Sequence, residues 1–424
     1  MTRSLSAAIS GIDANQTMLD NIGNNIANVN TVGYQSSDVQ FADLLYQQQG
    51  SASAPTPGVT GGTNPIAIGS GVRVSATTVN FSQGTTTQTG VQTDMAIQGQ
   101  GFLVVNQGGT NYYTRAGNLQ PDGSGELVTP SGAIVQGWLP NANGQINTSS
   151  PIGNIVIPQG QVSNPQATQN ITLGGNLPTW NGTGTAPVYT ATTTAYDSLG
   201  GQIPINLTFT ASTTPNQWTL VATAPNPGGG TDTLTPAGGA TLNFSSTTGQ
   251  LTSTSPSPLT LTGFTGYSNL PTGYSMNLDF PAVGSTQAVT QFSGTSSIQV
   301  TNQDGYSSGS LDGFTVGSDG TITGTYSNGK TQTLGQVALA MFSNPEGLAK
   351  QGNLMYASTT NSGAAQLGVA GAGGRGSLIG GAVEGSNVDL GTQLTDLIVA
   401  QTAYQANTKV VSTTSTVLQA LVQM

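Results

Sequence analysis

Two heptad series, one at each end of the chain, restrict the possible folds more than any other feature. Leu5, Ile12, Leu19 and Ile26 fall seven apart, and Ala8, Asn15, Ile22 and Val29 form a second line seven apart. Together they make the two-line seam of a helix that packs on a partner helix. Gly11 and Gly23 each lower helix propensity by about 1 kcal/mol relative to Ala, so this helix needs that partner. At the other end Leu390, Leu397, Tyr404, Val411 and Leu418 are again seven apart. Leu394 and Val422 sit in the companion line, with Gln401, Thr408 and Ser415 between them. No Pro or Gly interrupts the run from Thr392 to Met424, and Asn387 or Asp389 is placed to cap its start. Burying each large seam side chain is worth roughly 1.5–3 kcal/mol, a stabilisation present only when the partner helix arrives. The pattern predicts terminal helices over 1–30 and 388–424 that pair in a coiled-coil-like terminal domain and polymerise. Two amphipathic helices lying on a globular core would share the periodicity.

The pattern changes between the ends. Apolar residues recur in strand-sized groups, as in Met95–Gly99, Phe102–Asn106, Leu127–Val128, Tyr189–Tyr196, Ile203–Ala211 and Gln217–Ala222. Thr, Val and Ile favour strands, and the 60 Gly with the many Asn favour turns. Segments 31–75 and 366–387 read as an extended connecting arm, the former with a Gly/Ser/Pro-rich stretch from Gly50 to Gly62. A Thr/Gly/Pro-rich composition starts near 153, and the strand pattern of 76–152 returns near Gln287. The predicted fold is mixed but mainly β, with two nested β-domains of sandwich or barrel type. An inner β-domain covers 76–152 and 287–365, an outer one is inserted over 153–286, and the paired helices lie at the ends.

Composition excludes several functions. Only 6% of residues are charged, against about 25% in an average soluble protein. Such a surface suits dense subunit packing, because few ions must be desolvated. The net charge is −10 and the seven basic residues are scattered, so neither nucleic acid nor an anionic membrane is an expected partner. Cys and His are both absent, which removes thiol nucleophiles, disulfides, most zinc sites and the usual general base. Residues Met1 to Asn30 hold no uninterrupted apolar core of a secretory signal, and no apolar span is long enough to insert in a membrane. The chain is expected either to stay in the cytosol or to leave by a route without a cleaved signal.

Candidate chemistry is thin. Gly371-Ala-Gly373-Gly-Arg-Gly376 has the spacing of a dinucleotide loop but lacks the preceding buried strand, the following helix and the acidic partner. It reads as a flexible linker. The carboxylate pairs Asp122/Glu126 and Asp304/Asp312 sit beside Gly and Ser and read as turn formers. The Asn170-Ile-Thr and Asn206-Leu-Thr acceptor patterns arise by chance in a Thr-rich chain. No catalytic, cofactor or metal site is expected.

Specific likeness begins where the first helix ends. Ala27-Asn28-Val29-Asn30-Thr31-Val32-Gly33-Tyr34-Gln35, followed by Phe41, closely resembles the N-terminal signature of the bacterial flagellar rod and hook family. Asn28, Thr31, Gly33 and Tyr34 carry its turn, with Gly33 permitting φ > 0 where the chain turns outward. Asp94–Val105, Tyr113–Gly117 and Gly132–Trp138 are similar to the family's first inner strands. Gly335–Pro345 with Gly347-Leu348 resembles the returning half; Glu384–Leu390 and Gln401–Asn407 resemble the C-terminal signature. These motifs come in the family's order. Tyr196-Asp197-Ser198-Leu199-Gly200 and Trp218 resemble the outer domain of hook members, with distal rod members the second reading.

The resemblance implies a structural subunit rather than an enzyme. It implies a homo-polymer of many copies, a curved tube that transmits motor torque to the filament. The paired terminal helices would line its channel, with Leu5, Ile12, Leu19, Ile22, Ile26, Val29, Leu390, Leu394, Leu397, Tyr404, Val411, Leu418 and Val422 as the polymerisation seam. Implied neighbours are the distal rod, the hook cap, the hook–filament junction proteins and the flagellar export apparatus. The implied location is the extracellular flagellum, reached without a cleaved signal. A β-rich surface adhesin would explain the Thr/Gly-rich middle but not the heptads at both ends, and a glycan-active enzyme using carboxylates explains neither.

Overall fold

The N-terminal heptads form a helix, α1, over Thr2–Ala27, and the C-terminal heptads form α2 over Leu390–Val422. The computed structural model describes residues 2–423 apart from 56, 57, 59, 60, 142, 143, 159, 161, 237, 282–284 and 286; the side chains of Thr2, Leu421 and Val422 lie outside that description. Helix α1 ends before Val29, which is half-buried in the turn beyond it. Asp389, not Asn387, caps α2, its Oδ1 accepting from the Gly391 and Thr392 amides at 2.8 and 3.3 Å. Those amides hold the Asp389 carboxyl below the usual carboxylate range, Thr392 contributing most. Among the described residues no helix is long and apolar enough to cross a membrane.

The segment after α1 departs from expectation. Instead of an irregular arm it folds into a two-stranded ribbon of β1 (Ser37–Asp43), β2 (Tyr46–Gly50), β3 (Ile66–Gly69) and β4 (Val72–Val79). The antiparallel pairs run from Ser37↔Val79 to Asp43↔Val72, then from Tyr46↔Gly69 to Gly50↔Ile66. Backbone bonds Leu44 N to Gly71 O and Ser70 N to Leu45 O join the two ladders. The Gly and Pro residues that suggested irregularity cluster between β2 and β3, while β1 and β4 carry the alternation Val39/Phe41 and Val72/Val74. Segment 366–387 is no arm either. Ser377–Gly380 pairs with β6 (Met95–Gln98), and Ala382–Glu384 pairs with β5 (Thr86–Gln88), two strands that precede the inner sheet.

The chain divides into two compact units, 1–159 with 314–324 and 332–424, and 160–313 with 325–331. In the first unit β7 (Phe102–Gln107) pairs with β8 (Thr110–Thr114) on one side and with Ile134–Trp138 on the other. The returning half joins the same sheet: Leu339–Met341 pairs with β7, and Met355–Ala357 with β8. Their shared core is aromatic, with Phe342 5.9 Å from Phe102 and 4.7 Å from Tyr113 between ring centroids.

The second unit is sandwich-like. One sheet is an antiparallel run of Val188–Tyr196, Gln202–Ala211, Gln217–Pro225, Ala240–Phe244 and Leu251–Ser255. Ile203, Ile205, Leu207, Phe209 and Ala211 alternate inward along one strand, and Trp218, Leu220, Ala222 and Ala224 along the next. Asp197 closes the turn between the first two strands, its Oδ1 accepting from the Leu199 and Gly201 amides at 2.9 and 2.6 Å. The other sheet is built around Asn170–Leu177. Val289–Gln291 and Gln299–Gln303 pair with that strand, so residues 287–313 lie with the inserted unit and not, as the sequence pattern suggests, with the inner one. Composition reports strand content; it does not report which sheet a strand joins.

Candidate polymerisation surface

Helices α1 and α2 pack antiparallel, and two contacts mark which residues stand level. Asn25 Nδ2 donates to Gln393 Oε1 at 2.9 Å, and a Cβ placed on Gly11 would lie 2.7 Å from the Asn407 amide nitrogen. Gly11 therefore serves close helix approach, although it weakens the helix alone. Among the described side chains, the buried residues are Ala8, Gly11, Ala14, Ile22 and Asn25 on α1 and Gln393, Ala400 and Thr414 on α2. Apart from Ile22, the intrachain seam is thus small and polar. Its α2 line runs through Gln393, Ala400, Asn407 and Thr414, one residue away from the expected companion line of Leu394 and Val422.

The large aliphatics stand beside this seam. Leu5, Ile12, Leu19 and Ile26 are half-buried on one flank of α1, while Ile22 is buried. The opposite flank of α1 meets the ribbon, where the Val72 amide donates to Ser10 Oγ at 3.3 Å and Asn21 Nδ2 donates to the Ser37 carbonyl. On α2, Leu397, Tyr404 and Val411 are half-buried. Leu390, Leu394 and Ile398 form an exposed stripe at four-residue spacing, Ile398 being 63% exposed. Val399, Val410 and Val417 lie exposed on the other flank. Leu418 is exposed because α2 is the longer helix: on the observed register Thr2 stands level with Thr416, so α2 runs past the start of α1. The Val422 side chain lies outside the described residues.

The turn after α1 is packed into the inner unit. Thr31 Oγ1 donates to Asn28 Oδ1 at 3.1 Å, and the Gly33 amide donates to the Glu384 carbonyl at 2.7 Å. Gly33 has φ +73°, and a Cβ there would lie 2.5 Å from Ala116 backbone atoms. Conformation and space both demand glycine at this position. Tyr34 is buried and its hydroxyl donates to Asn25 Oδ1 at 3.0 Å.

Beneath the turn lies a buried polar junction that sequence reasoning missed. Arg115 and Glu384 form an ion pair at 3.0 Å, with side chains 2% and 0% exposed. Arg115 also donates to the carbonyls of Gly101 and Gly99 at 3.2 and 2.5 Å. Glu384 Oε1 accepts further from the Gly84 amide at 3.0 Å. Lys350 Nζ donates to Ser37 Oγ at 3.2 Å and lies 5.3 Å from the Tyr34 ring centroid; burial holds its pKa below the usual lysine value. Burial, with Tyr34 and Glu384 nearby, pushes the Tyr356 hydroxyl well up. Asn387 accepts from the Ser36 amide at 2.7 Å and donates to the Asn80 and Ser82 carbonyls, which is why it does not cap α2. In a chain with so few ions, Arg115 and Glu384 stand out as charges within uncharged stretches, the signal that could have found them.

The other candidates are structural. Arg375 folds back onto the carbonyls of Gln366, Leu367 and Ala372, so the Gly371–Gly376 segment is a stapled turn rather than a linker. Asp122 Oδ1 accepts from the Ser124 and Glu126 amides, and Asp304 from the Gln169 and Asn170 amides. Asp312 lies in the strand Leu311–Val316. Among the described residues no cluster of acidic side chains has the form of a metal site.

Four family descriptions match successive parts of the chain. The description "Flagella basal body rod protein" matches residues 5–35, and "Flagellar basal body rod FlgEFG protein C-terminal" matches 379–424. "Flagellar hook protein FlgE/F/G D1 domain" matches 96–176, and "Flagellar basal body protein FlaE D2 domain" matches 177–306. The flagellar hook protein FlgE of Treponema pallidum (strain Nichols) is 36% identical over 463 residues, with 100% of both chains covered. That of Borreliella burgdorferi is 35% identical over 441 residues, again with 100% of both covered. That of Salmonella typhimurium (strain LT2) is 36% identical over 434 residues, covering 99% of this chain and 100% of the relative. The crystal structure of Helicobacter pylori flagellar hook protein FlgE2 is matched at TM-score 0.49 and 15% identity over 69% of this chain and 98% of that one, too distant to bear on the assignment. With relatives of this identity matched from end to end, the chain belongs to the flagellar hook protein FlgE family.

Proposed function

We propose that this chain is the structural subunit of the flagellar hook and that many copies join through the exposed flanks of the terminal helices. The observation that carries the reading is the split between a small, polar intrachain seam and the large aliphatics left beside it, Leu390, Leu394 and Ile398 above all. Neighbouring copies supply the missing apolar cover, with Leu5, Ile12, Leu19 and Ile26 on α1 and Leu397, Tyr404, Val411 and Leu418 on α2 extending the same contact. Side chains of this size gain roughly 1.5–3 kcal/mol each on full burial, and one charged group in the stripe is enough to cancel that gain.

The polymer forms a tube whose channel is lined by the helices and whose wall is the inner unit. The inserted 160–313 unit, with its polar, nearly uncharged surface, slides on its neighbours as the joint bends. The distal rod below, the cap at the growing tip and the junction proteins above are its neighbours. Subunits reach the tip unfolded through the export apparatus. Electron microscopy of basal bodies from cells lacking this chain tests the reading. Complete rods without hooks are expected; a truncated rod would move the chain to the distal rod, and intact flagella would remove it from the axial structure.

A further inference from the structure

Asn25 lies where α1, α2 and the start of the ribbon meet, and it is 1% exposed. Its Nδ2 donates to the Ser37 carbonyl and to Gln393 Oε1, both at 2.9 Å. Its Oδ1 accepts from the Ser37 amide at 3.1 Å and from the Tyr34 hydroxyl at 3.0 Å. Both donors and both acceptor positions of one amide are therefore engaged, each in a fixed direction. The partners belong to different parts of the unit: Ser37 opens the ribbon, Tyr34 belongs to the turn, and Gln393 stands in the first turns of α2.

Apart from Ile22, Thr414 and the close approach at Gly11, the rest of the seam has little that could set its register. Ala8, Ala14 and Ala400 are small, and Gly11 removes a side chain where Asn407 comes closest. Small faces let helices approach closely and also slide. A buried amide resists sliding, because a lost partner costs about 1–3 kcal/mol, and single polar residues in helical seams are known to specify register. Asn25 does this at the last turns of α1, two residues before the helix ends at Ala27.

We propose that Asn25 is a positioning residue that fixes the register of α2 on α1 and the direction in which the helix pair leaves the inner β-layer. Gln393 carries the first role and Ser37 with Tyr34 the second. The consequence for the polymer, a single subunit geometry and hence one helical lattice, rests on the hook-subunit reading.

The chain contains no Cys, so spin labels can be placed at chosen positions alone. The test measures the distance distribution between labels at Gln107→Cys and Gln405→Cys, exposed positions on β7 and α2, in the full chain. Asn25→Ala removes the whole constellation, and Gln393→Ala removes only the bond between the helices. Gln393→Glu keeps an acceptor for Asn25, and an anion near the N-terminus of α2 is tolerated by the helix dipole. Gln393→Ala is expected to add a second distance population and Asn25→Ala to broaden the distribution further, while Gln393→Glu keeps the parent distribution. Hydrogen-exchange protection of the Val104 and Val105 amides should stay unchanged in all three. The proposal is overturned if Gln393→Ala matches the parent, or if Gln393→Glu behaves like Gln393→Ala; this pair decides the matter even if Asn25→Ala misfolds. Assembly of the parent chain is scored separately. A chain that shows the distance pattern but never polymerises sinks the hook reading and leaves the positioning role, whereas normal assembly with unmoved distances does the reverse.

Discussion

Arg115 and Glu384 set the strongest constraint at the scale of single residues. Each is a charge held almost wholly out of water, and each is compensated by the other and by backbone groups. Removing one partner of such a pair leaves an uncompensated buried charge and costs about 3–5 kcal/mol, while replacing both by apolar residues is often close to neutral. Arg115→Met should therefore lower the urea concentration at which the β7 amides lose hydrogen-exchange protection. The double variant Arg115→Met, Glu384→Leu should recover most of that loss. A single variant that unfolds with the parent would mean that the pair contributes nothing to the inner unit. Gly33 shows the other kind of single-residue constraint. Backbone freedom alone already favours glycine there, and the packing against Ala116 adds a reason that only folding reveals.

Helix α2 is the element on which the proposed assembly depends, and it can be tested at its start and along its exposed flank. The Asp389 cap is strongest while the carboxyl is ionised, and the folded state depresses its pKa. A depressed carboxyl contributes its stabilisation fully above the usual carboxylate range, near 4, and loses it as pH falls through the lower folded value. Protection factors of the Gly391 and Thr392 amides, corrected for intrinsic rates, should hold from neutral pH down to that range and drop below it. A decline beginning near pH 7 would point to a different cap. On the flank, Ile398→Asp places a charge at a position already 63% exposed, so the isolated chain should keep its helix content and β-layer protection. Sedimentation should then find no polymer under conditions where the parent assembles. Normal tubes from this variant would contradict the proposed contact.

Deletion of a whole unit tests the larger arrangement. A cut at 153–286, where the composition changes, would strand Val289–Gln291 and Gln299–Gln303 without the Asn170–Leu177 strand they pair with. Joining Pro158 to Phe314 removes the main stretch of the second unit and leaves only its 325–331 segment. The shortened chain should fold, retain the Phe102, Tyr113 and Phe342 core, and polymerise into tubes whose curvature differs from the parent's by electron microscopy. Tubes of unchanged curvature would remove the inserted unit from the bending mechanism, and loss of β7 protection would mean that the inner unit needs it to fold.

Much of this was readable in advance because it depends on local periodicity and local chemistry. Seven-residue spacing placed both terminal helices to within a few residues, strand alternation located the Ile203–Ala211 and Gln217–Ala222 strands, and the Asn28-to-Tyr34 turn carried the family likeness. Periodicity names a helix face, but it does not say whether the partner is another part of the chain or another copy. The close approach at Gly11 and the Asn25–Gln393 bond assign the small, polar line to the intrachain partner and leave Leu394 and Ile398 outside. Strand composition likewise carried no partner for β1 to β4, for Ser377–Gly380 or for Val289–Gln291, because pairing joins residues far apart in the chain. The buried polar groups Asn25, Arg115 and Glu384 are the extreme case. They come from three distant segments, and only burial makes a hydrogen-bond or ionic partner obligatory for each.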